Sequence, residues 1–115
     1  MDKNQEILLK DVHSKILTYL SDVKLEPIEK VENIKKNFNM SLGPSSDFDH
    51  IRISVDKYLQ YSTKTSSPHF FNQLFSGFSV TAHIGEMLSS ITNNSMYTYE
   101  MSPVATLMEI ELVEK

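Results

Sequence analysis

The chain has 115 residues, of which 40% are hydrophobic and 23% are charged, a composition that excludes wholesale disorder. Its formal net charge of −4 is spread along the sequence without a basic run, which excludes a nucleic-acid-binding patch and a basic membrane-surface segment. The absence of cysteine excludes disulfides, thiol catalysis and cysteine-ligated metal.

Two helices are predicted in the first 38 residues from the spacing of apolar side chains. The first carries an apolar residue at every fourth position, with Ile7 and Leu17 widening the stripe: Leu8, Val12, Ile16 and Leu20. The second is predicted to hold Pro27 in its first turn, where the missing N–H of proline costs least. Its apolar positions are Ile28, Val31, Ile34 and Phe38.

A polar linker and a third helix are predicted next. Residues 39–46 read NMSLGPSS, which is turn chemistry. Asp47 is the expected N-cap of the third helix, because its side chain can accept a hydrogen bond from a free helical N–H. The apolar positions of this helix are Phe48, Ile51, Val55, Tyr58 and Leu59. Residues 61–68, YSTKTSSP, are predicted to form a loop.

The last third of the sequence predicts two more helices. One runs through the apolar positions Val80, Ile84, Met87, Leu88 and Ile91, and residues 92–95 form the turn after it. The other begins with Ser102 as N-cap and Pro103 as first helical residue. It reaches Lys115 without a helix-ending residue, so we expect another segment or chain to complete it. The predicted fold class is therefore all-α.

Localisation follows from two negative features of the sequence. The start, MDKNQEILLKD, is too polar for a signal peptide, and no apolar run approaches membrane-spanning length. The sequence therefore predicts a cytoplasmic protein without a membrane partner.

Four segments between residues 58 and 109 carry a family resemblance. They are 67–77 (SPHFFNQLFSG), 85–88 (GEML), 93–100 (NNSMYTYE) and 102–109 (SPVATLME). In order and spacing they resemble the group II pyridoxal-phosphate decarboxylases, which include glutamate, cysteine sulfinate and diaminobutyrate decarboxylases. At Ser67 the family usually has histidine. Residues 1–57 show a compatible helical pattern but no motif.

The resemblance implies three parts. Residues 1–42 would be an N-terminal helical arm of dimerisation type, and 43–46 a linker. Residues 47–115 would begin the decarboxylase domain and stop before its cofactor-binding core. The family uses pyridoxal 5'-phosphate in the complete enzyme, and none is expected to bind this segment alone.

The resemblance also places a substrate-binding loop in this chain. Gln73 would donate an amide hydrogen bond to a distal carboxylate or sulfinate of the substrate. Leu74 and Phe75 would line the pocket, and Ser76 would contribute a hydroxyl contact. In the alternative, Gln73 only braces its own loop.

No catalytic or metal residue is predicted here. Decarboxylation by this cofactor needs a Schiff-base lysine, which in the family follows a Pro-His pair, whereas Phe70 follows Pro68-His69 in this chain. A glycine-rich phosphate loop is also missing from the sequence. His83 and Glu86 lie three residues apart, but a metal site needs three or four ligands.

Two functions remain open from the sequence. The first is a decarboxylase segment, acting on an acidic or diamino substrate, whose partner is a second copy or the missing C-terminal portion. The second is a non-catalytic helical interaction module that uses the same helices. A reading frame directly downstream that encodes a Pro-His-Lys motif favours the enzyme.

Overall fold

The computed structural model describes residues 1–38, 47–72, 74, 77–95 and 97–115. Within these ranges the chain is all-α, with no strand, as the sequence predicts. The helices are α1 (Lys3–Ser21), α2 (Val31–Asn37), α3 (Phe48–Tyr61), α4 (Val80–Thr92) and α5 (Pro103–Val113). They belong to two compact units, Met1–Gly77 and Phe78–Lys115, which are described separately. The linker predicted at residues 43–46 lies outside the described residues.

Helix α1 begins with a capping box. The Asp2 carboxylate accepts a hydrogen bond from the Gln5 N–H at 2.9 Å, and the Gln5 side chain accepts one from the Asp2 N–H at 2.9 Å. Two N–H groups that would lack partners at a helix start are thereby satisfied. The predicted stripe of α1 is half-buried, whereas Ile7 and Leu17 are exposed.

Helices α1 and α3 pack against each other and run in the same direction. Polar contacts join Asp11 to Arg52, Lys15 to Asp56 and Asp22 to Lys64, so the partner number rises along α3 and beyond as the number rises along α1. Such a constant offset is possible only for parallel helices. The half-buried apolar residues of α3 are Phe48, Ile51, Val55 and Leu59, whereas Tyr58 is exposed.

Helix α3 begins where the sequence predicts. The Asp47 side chain accepts a hydrogen bond from the His50 N–H at 2.8 Å. Its last turn ends at Tyr61, and the predicted loop follows.

The prediction for α2 is wrong at its start. Residues 22–30 are not helical, so Pro27 and Ile28 precede the helix instead of forming its first turn. Glu26 lies before proline, which disfavours the helical region for it. The Glu29 carboxylate then accepts hydrogen bonds from the Lys30 N–H and the Asn33 amide, which fixes the helix start at this point.

In the second unit, α4 and α5 occupy the predicted positions. The Ser79 hydroxyl caps α4 by accepting a bond from the Ala82 N–H, and Asn93 ends it with φ 46° and ψ 40°, the left-handed region. Ser102 precedes Pro103 as predicted, but its hydroxyl caps nothing. It donates to the Ser95 carbonyl at 2.9 Å, tying the preceding turn to the start of α5.

The described part of the chain buries very little apolar surface. No hydrophobic residue in it is buried, and Ser67 and Ser102 are the buried polar ones. Helix α5 has exposed apolar side chains around its whole circumference, with the exposed Glu109 and Glu111 between them. These apolar side chains are Val104, Leu107, Met108, Ile110, Leu112 and Val113.

Candidate functional site

The structure describes one of the four predicted substrate-loop residues. Leu74 is 80% exposed, and its N–H donates to the Asn72 side-chain oxygen at 2.8 Å, forming a local turn. Gln73, Phe75 and Ser76 lie outside the described residues. The pocket formed by these four side chains therefore stays a prediction.

A tight turn at residues 64–70 leads into this loop. At its centre Ser67 is 5% exposed and uses every polar group it has. Its N–H donates to the Lys64 carbonyl at 3.2 Å, and its carbonyl accepts from the Phe70 N–H at 3.0 Å. Its hydroxyl donates to the Val23 carbonyl at 2.7 Å and accepts from the His69 N–H at 3.2 Å. Ser67 thus connects the turn to the chain that leaves α1.

A second link joins the same two segments. Lys64 Nζ lies 2.8 Å from Asp22 Oδ2, and it sits over the Tyr19 ring at 4.8 Å from the centroid. The Lys64 side chain is only 12% exposed, so its amine is largely enclosed by these contacts. Its partners lie more than forty residues away, and no local sequence pattern reveals contacts over such a separation.

The electrostatics of this junction favour the charged form of Asp22. The hydrogen bond from Lys64 lowers the pKa of the Asp22 carboxyl below its ordinary value of 3.8, and a second bond from the Lys24 N–H lowers it further. In turn, the neighbouring Glu26 carboxylate raises the pKa of Lys24.

The most enclosed of the ion-paired lysines is not available to hold pyridoxal phosphate. A site for this cofactor needs a lysine that is free to form an imine, together with donors for a phosphate group. The lysine most enclosed among those in ion pairs, Lys64, is committed to Asp22 and Tyr19. We therefore assign no residue of this segment to the cofactor.

His83 and Glu86 do not belong to a metal-ligand cluster among the described residues. Within the described ranges, no three histidine or carboxylate side chains come together. The ring of His83 instead lies 5.5 Å from that of Phe78, at an interplanar angle of 54°. Nor does any described helix have the length and apolar character needed to cross a membrane.

Known proteins resemble this chain along most of its length. It is 34% identical to rat cysteine sulfinic acid decarboxylase over 117 residues, which cover 96% of this chain and 24% of the rat protein. It is 46% identical to glutamate decarboxylase of Drosophila melanogaster over 57 residues, half of this chain. The crystal structure of mouse CSAD matches 96% of the chain with a TM-score of 0.82 and 32% identity.

This chain spans about a quarter of the length of these relatives, since it covers 24% of the rat protein and 25% of the mouse structure. The family model for the pyridoxal-dependent decarboxylase conserved domain matches residues 32–115. That match covers well over half of the sequence, from α2 to the last residue. The chain therefore belongs to the pyridoxal-dependent decarboxylase family.

Proposed function

We propose that this chain is the N-terminal segment of a cytoplasmic amino-acid decarboxylase that acts on an acidic or diamino substrate. In this proposal it supplies the substrate loop of residues 73–76 and dimer contacts. The observation that carries it is the structural match to mouse CSAD over 96% of this chain and only 25% of that one. Pyridoxal phosphate and its lysine would come from the remaining portion of the enzyme.

The exposed apolar surface supports an assembled state. Large apolar side chains stay exposed in each of the two units, among them Ile7, Leu17 and Ile53 in the first and Leu88, Leu107 and Leu112 in the second, and exposed apolar surface of this kind marks interaction sites. Apolar side chains lie on all sides of α5, interrupted by Thr106, Glu109 and Glu111, and a helix that is mainly apolar all round is typically enclosed by other elements. The proposed partners are a second copy and the remaining decarboxylase portion.

The chain alone is expected to be inactive. We expect neither a stoichiometric cofactor adduct trapped by borohydride nor release of carbon dioxide, because Lys64 is ion-paired and the family's lysine motif is missing from the sequence. The control is a complete family decarboxylase treated in the same way. Adduct and carbon dioxide together from the isolated chain would overturn this part of the proposal.

The substrate loop is tested by restoring activity. The chain is co-expressed with the remaining portion of a family decarboxylase, and kinetics are measured for glutamate, cysteine sulfinate and diaminobutyrate. Gln73→Ala should lower kcat/KM for the acidic substrate by roughly ten- to a hundredfold, the loss of one hydrogen bond to a charged group. Leu74→Ala should reduce activity through pocket shape, without dependence on substrate charge.

Two controls separate substrate contact from loop bracing. Gln60→Ala removes an exposed glutamine of α3 and should leave the kinetics unchanged. The cofactor's absorbance should be the same in all variants. Equal losses for every substrate with lowered thermal stability would indicate that Gln73 only braces its loop, and normal kinetics would exclude the substrate role.

A non-catalytic interaction module is the second candidate, and the exposed apolar surface favours it. It predicts that the chain binds a full-length decarboxylase, or itself, without restoring activity to a truncated one. Co-purification without activity, from a portion that carries the Schiff-base lysine, would favour this module.

A further inference from the structure

We infer that Ser67 is a positioning residue: its hydroxyl clamps the turn before the substrate loop onto the end of α1 and so sets where that loop begins. The inference rests on the proposed role of the loop. It concerns one of the two buried polar residues in the described part of the chain.

Every polar group of Ser67 takes part in a hydrogen bond. Its hydroxyl is the donor to Val23 O, at 2.7 Å, and the acceptor for the His69 N–H, at 3.2 Å. One atom therefore couples a segment 44 residues away in sequence to the turn that precedes the substrate loop. A hydroxyl bonded in this way holds its neighbours in one arrangement, because its removal breaks two part-buried hydrogen bonds at once.

The adjacent Ser66 differs from Ser67 in the hydrogen bonding of its hydroxyl. The hydroxyl oxygen of Ser66 is also buried, but it has no hydrogen-bond partner in the described part of the chain. Both hydroxyl groups are thus enclosed, but only that of Ser67 is hydrogen-bonded within the described part of the chain. Removing the Ser66 hydroxyl should be neutral or slightly stabilising, whereas removing the Ser67 hydroxyl leaves the Val23 carbonyl without its donor.

Further hydrogen bonds between described residues continue from Ser67 towards the substrate loop. The Phe70 N–H donates to the Ser67 carbonyl at 3.0 Å, and two residues later the Asn72 side chain accepts the Leu74 N–H. The Lys64–Asp22 ion pair holds the opposite end of the turn to the same part of the chain after α1. The turn is therefore fixed on both sides, and its exit leads directly into residues 72–74.

Hydrogen–deuterium exchange of the 115-residue chain tests the clamp without any catalysis. Ser67→Ala should speed exchange of amides 69–72 by about tenfold, the equivalent of one net hydrogen bond, while α4 keeps its rate. Ser66→Ala should match the unmodified chain, and Ser67→Thr should restore slow exchange. If the chain shows no helical circular dichroism alone, the comparison is made in its complex with the remaining decarboxylase portion.

Three outcomes contradict the inference: unchanged exchange in Ser67→Ala, a uniform increase along the whole chain, or free-peptide rates at 69–72 before any substitution. In the reconstituted enzyme, Ser67→Ala should raise KM for the acidic substrate more than it lowers kcat, and Ser67→Thr should reverse this. A failed exchange test refutes the clamp alone. A working clamp with normal Gln73→Ala kinetics refutes the substrate role instead.

Discussion

Arg52 on α3 reaches across to Asp11 on α1, with its Nε 3.0 Å from the carboxylate Oδ2. One turn further along both helices the charges are reversed, because Lys15 of α1 lies 2.7 Å from Asp56 of α3. A shift of either helix by one turn would place Asp11 against Asp56, or Lys15 against Arg52. The alternation therefore selects one register of the parallel pair.

This register can be measured with a double-mutant cycle. Asp11→Ala, Arg52→Ala and the double variant should give a coupling free energy of unfolding on the order of 0.5–1 kcal/mol, the range for partly exposed pairs. The control cycle pairs Asp11→Ala with Asp22→Ala, which lie about 16 Å apart along the chain of α1 and share no partner, and should be additive. Additivity in the Asp11–Arg52 cycle would contradict the pairing.

A pH dependence follows from Asp22. The hydrogen bond from Lys64 lowers its pKa in the folded state, so folding favours the deprotonated form. The stabilisation is therefore complete above the ordinary value of 3.8 and is lost as the pH falls through the lower, folded-state pKa.

The measurement compares the free energy of unfolding of the unmodified chain and of Asp22→Asn across acidic pH. The difference between the two should be constant at neutral pH and should shrink below pH 3.8. Other carboxylates titrate alike in both proteins and cancel in the difference. A difference that does not change with pH would contradict the Asp22–Lys64 contact.

The left-handed residue at the end of α4 gives a third prediction. Asn93 has φ 46°, a region that glycine adopts freely and β-branched residues disfavour. Asn93→Gly should keep or slightly raise stability, whereas Asn93→Val should lower it by about 1–2 kcal/mol. Asn94→Val is the matched control, since Asn94 has no positive φ. Equal melting temperatures for the two valine variants would exclude the left-handed cap.

Self-association gives a fourth prediction. With no buried hydrophobic residue in the described ranges, the isolated chain should be dimeric, aggregated or poorly folded, and its melting temperature should rise with protein concentration. Leu107→Lys on α5 should weaken this dependence. Glu109→Gln, which changes the charge of the same helix by the same amount, should not.

Sedimentation and thermal melting over a wide concentration range provide the measurement. A compact monomer that melts sharply, at one temperature regardless of concentration, would argue against an uncovered interface. The Leu107→Lys variant then also reports whether α5 belongs to that interface.

The sequence predicts helix positions well where side chains mark them locally. Asp47 caps α3 as expected, and α5 begins at Pro103. The start of α2 was misplaced because Pro27 suits a first helical turn in general, whereas here the carboxylate of Glu29 fixes the start three to four residues later. Pro27 and Glu29 each favour a helix start at a different residue, and the spacing of apolar residues does not distinguish between the two starts.

The contacts that hold the turn before the substrate loop to the end of α1 could not be predicted from the sequence. Ser67 and Lys64 form contacts with Val23 and Asp22, more than forty residues away, and nothing near either residue identifies its partner. The substrate loop was predicted only through family resemblance, because a glutamine in a polar loop has no distinctive pattern. The structure describes Leu74 in that loop and leaves the roles of its neighbours as proposals.

The parallel pairing of α1 and α3 makes the intervening chain a tether. The offset of 41 residues between their contacts places Phe48, the first residue of α3, beside Ile7. The chain that leaves α1 at Ser21 must therefore return by about 21 Å before α3 begins. A tether of this kind holds its ends at an effective concentration in the millimolar range. One proteolytic cut between residues 22 and 47 would remove that advantage, and at micromolar protein a helix held by a half-buried stripe and a few ion pairs would dissociate.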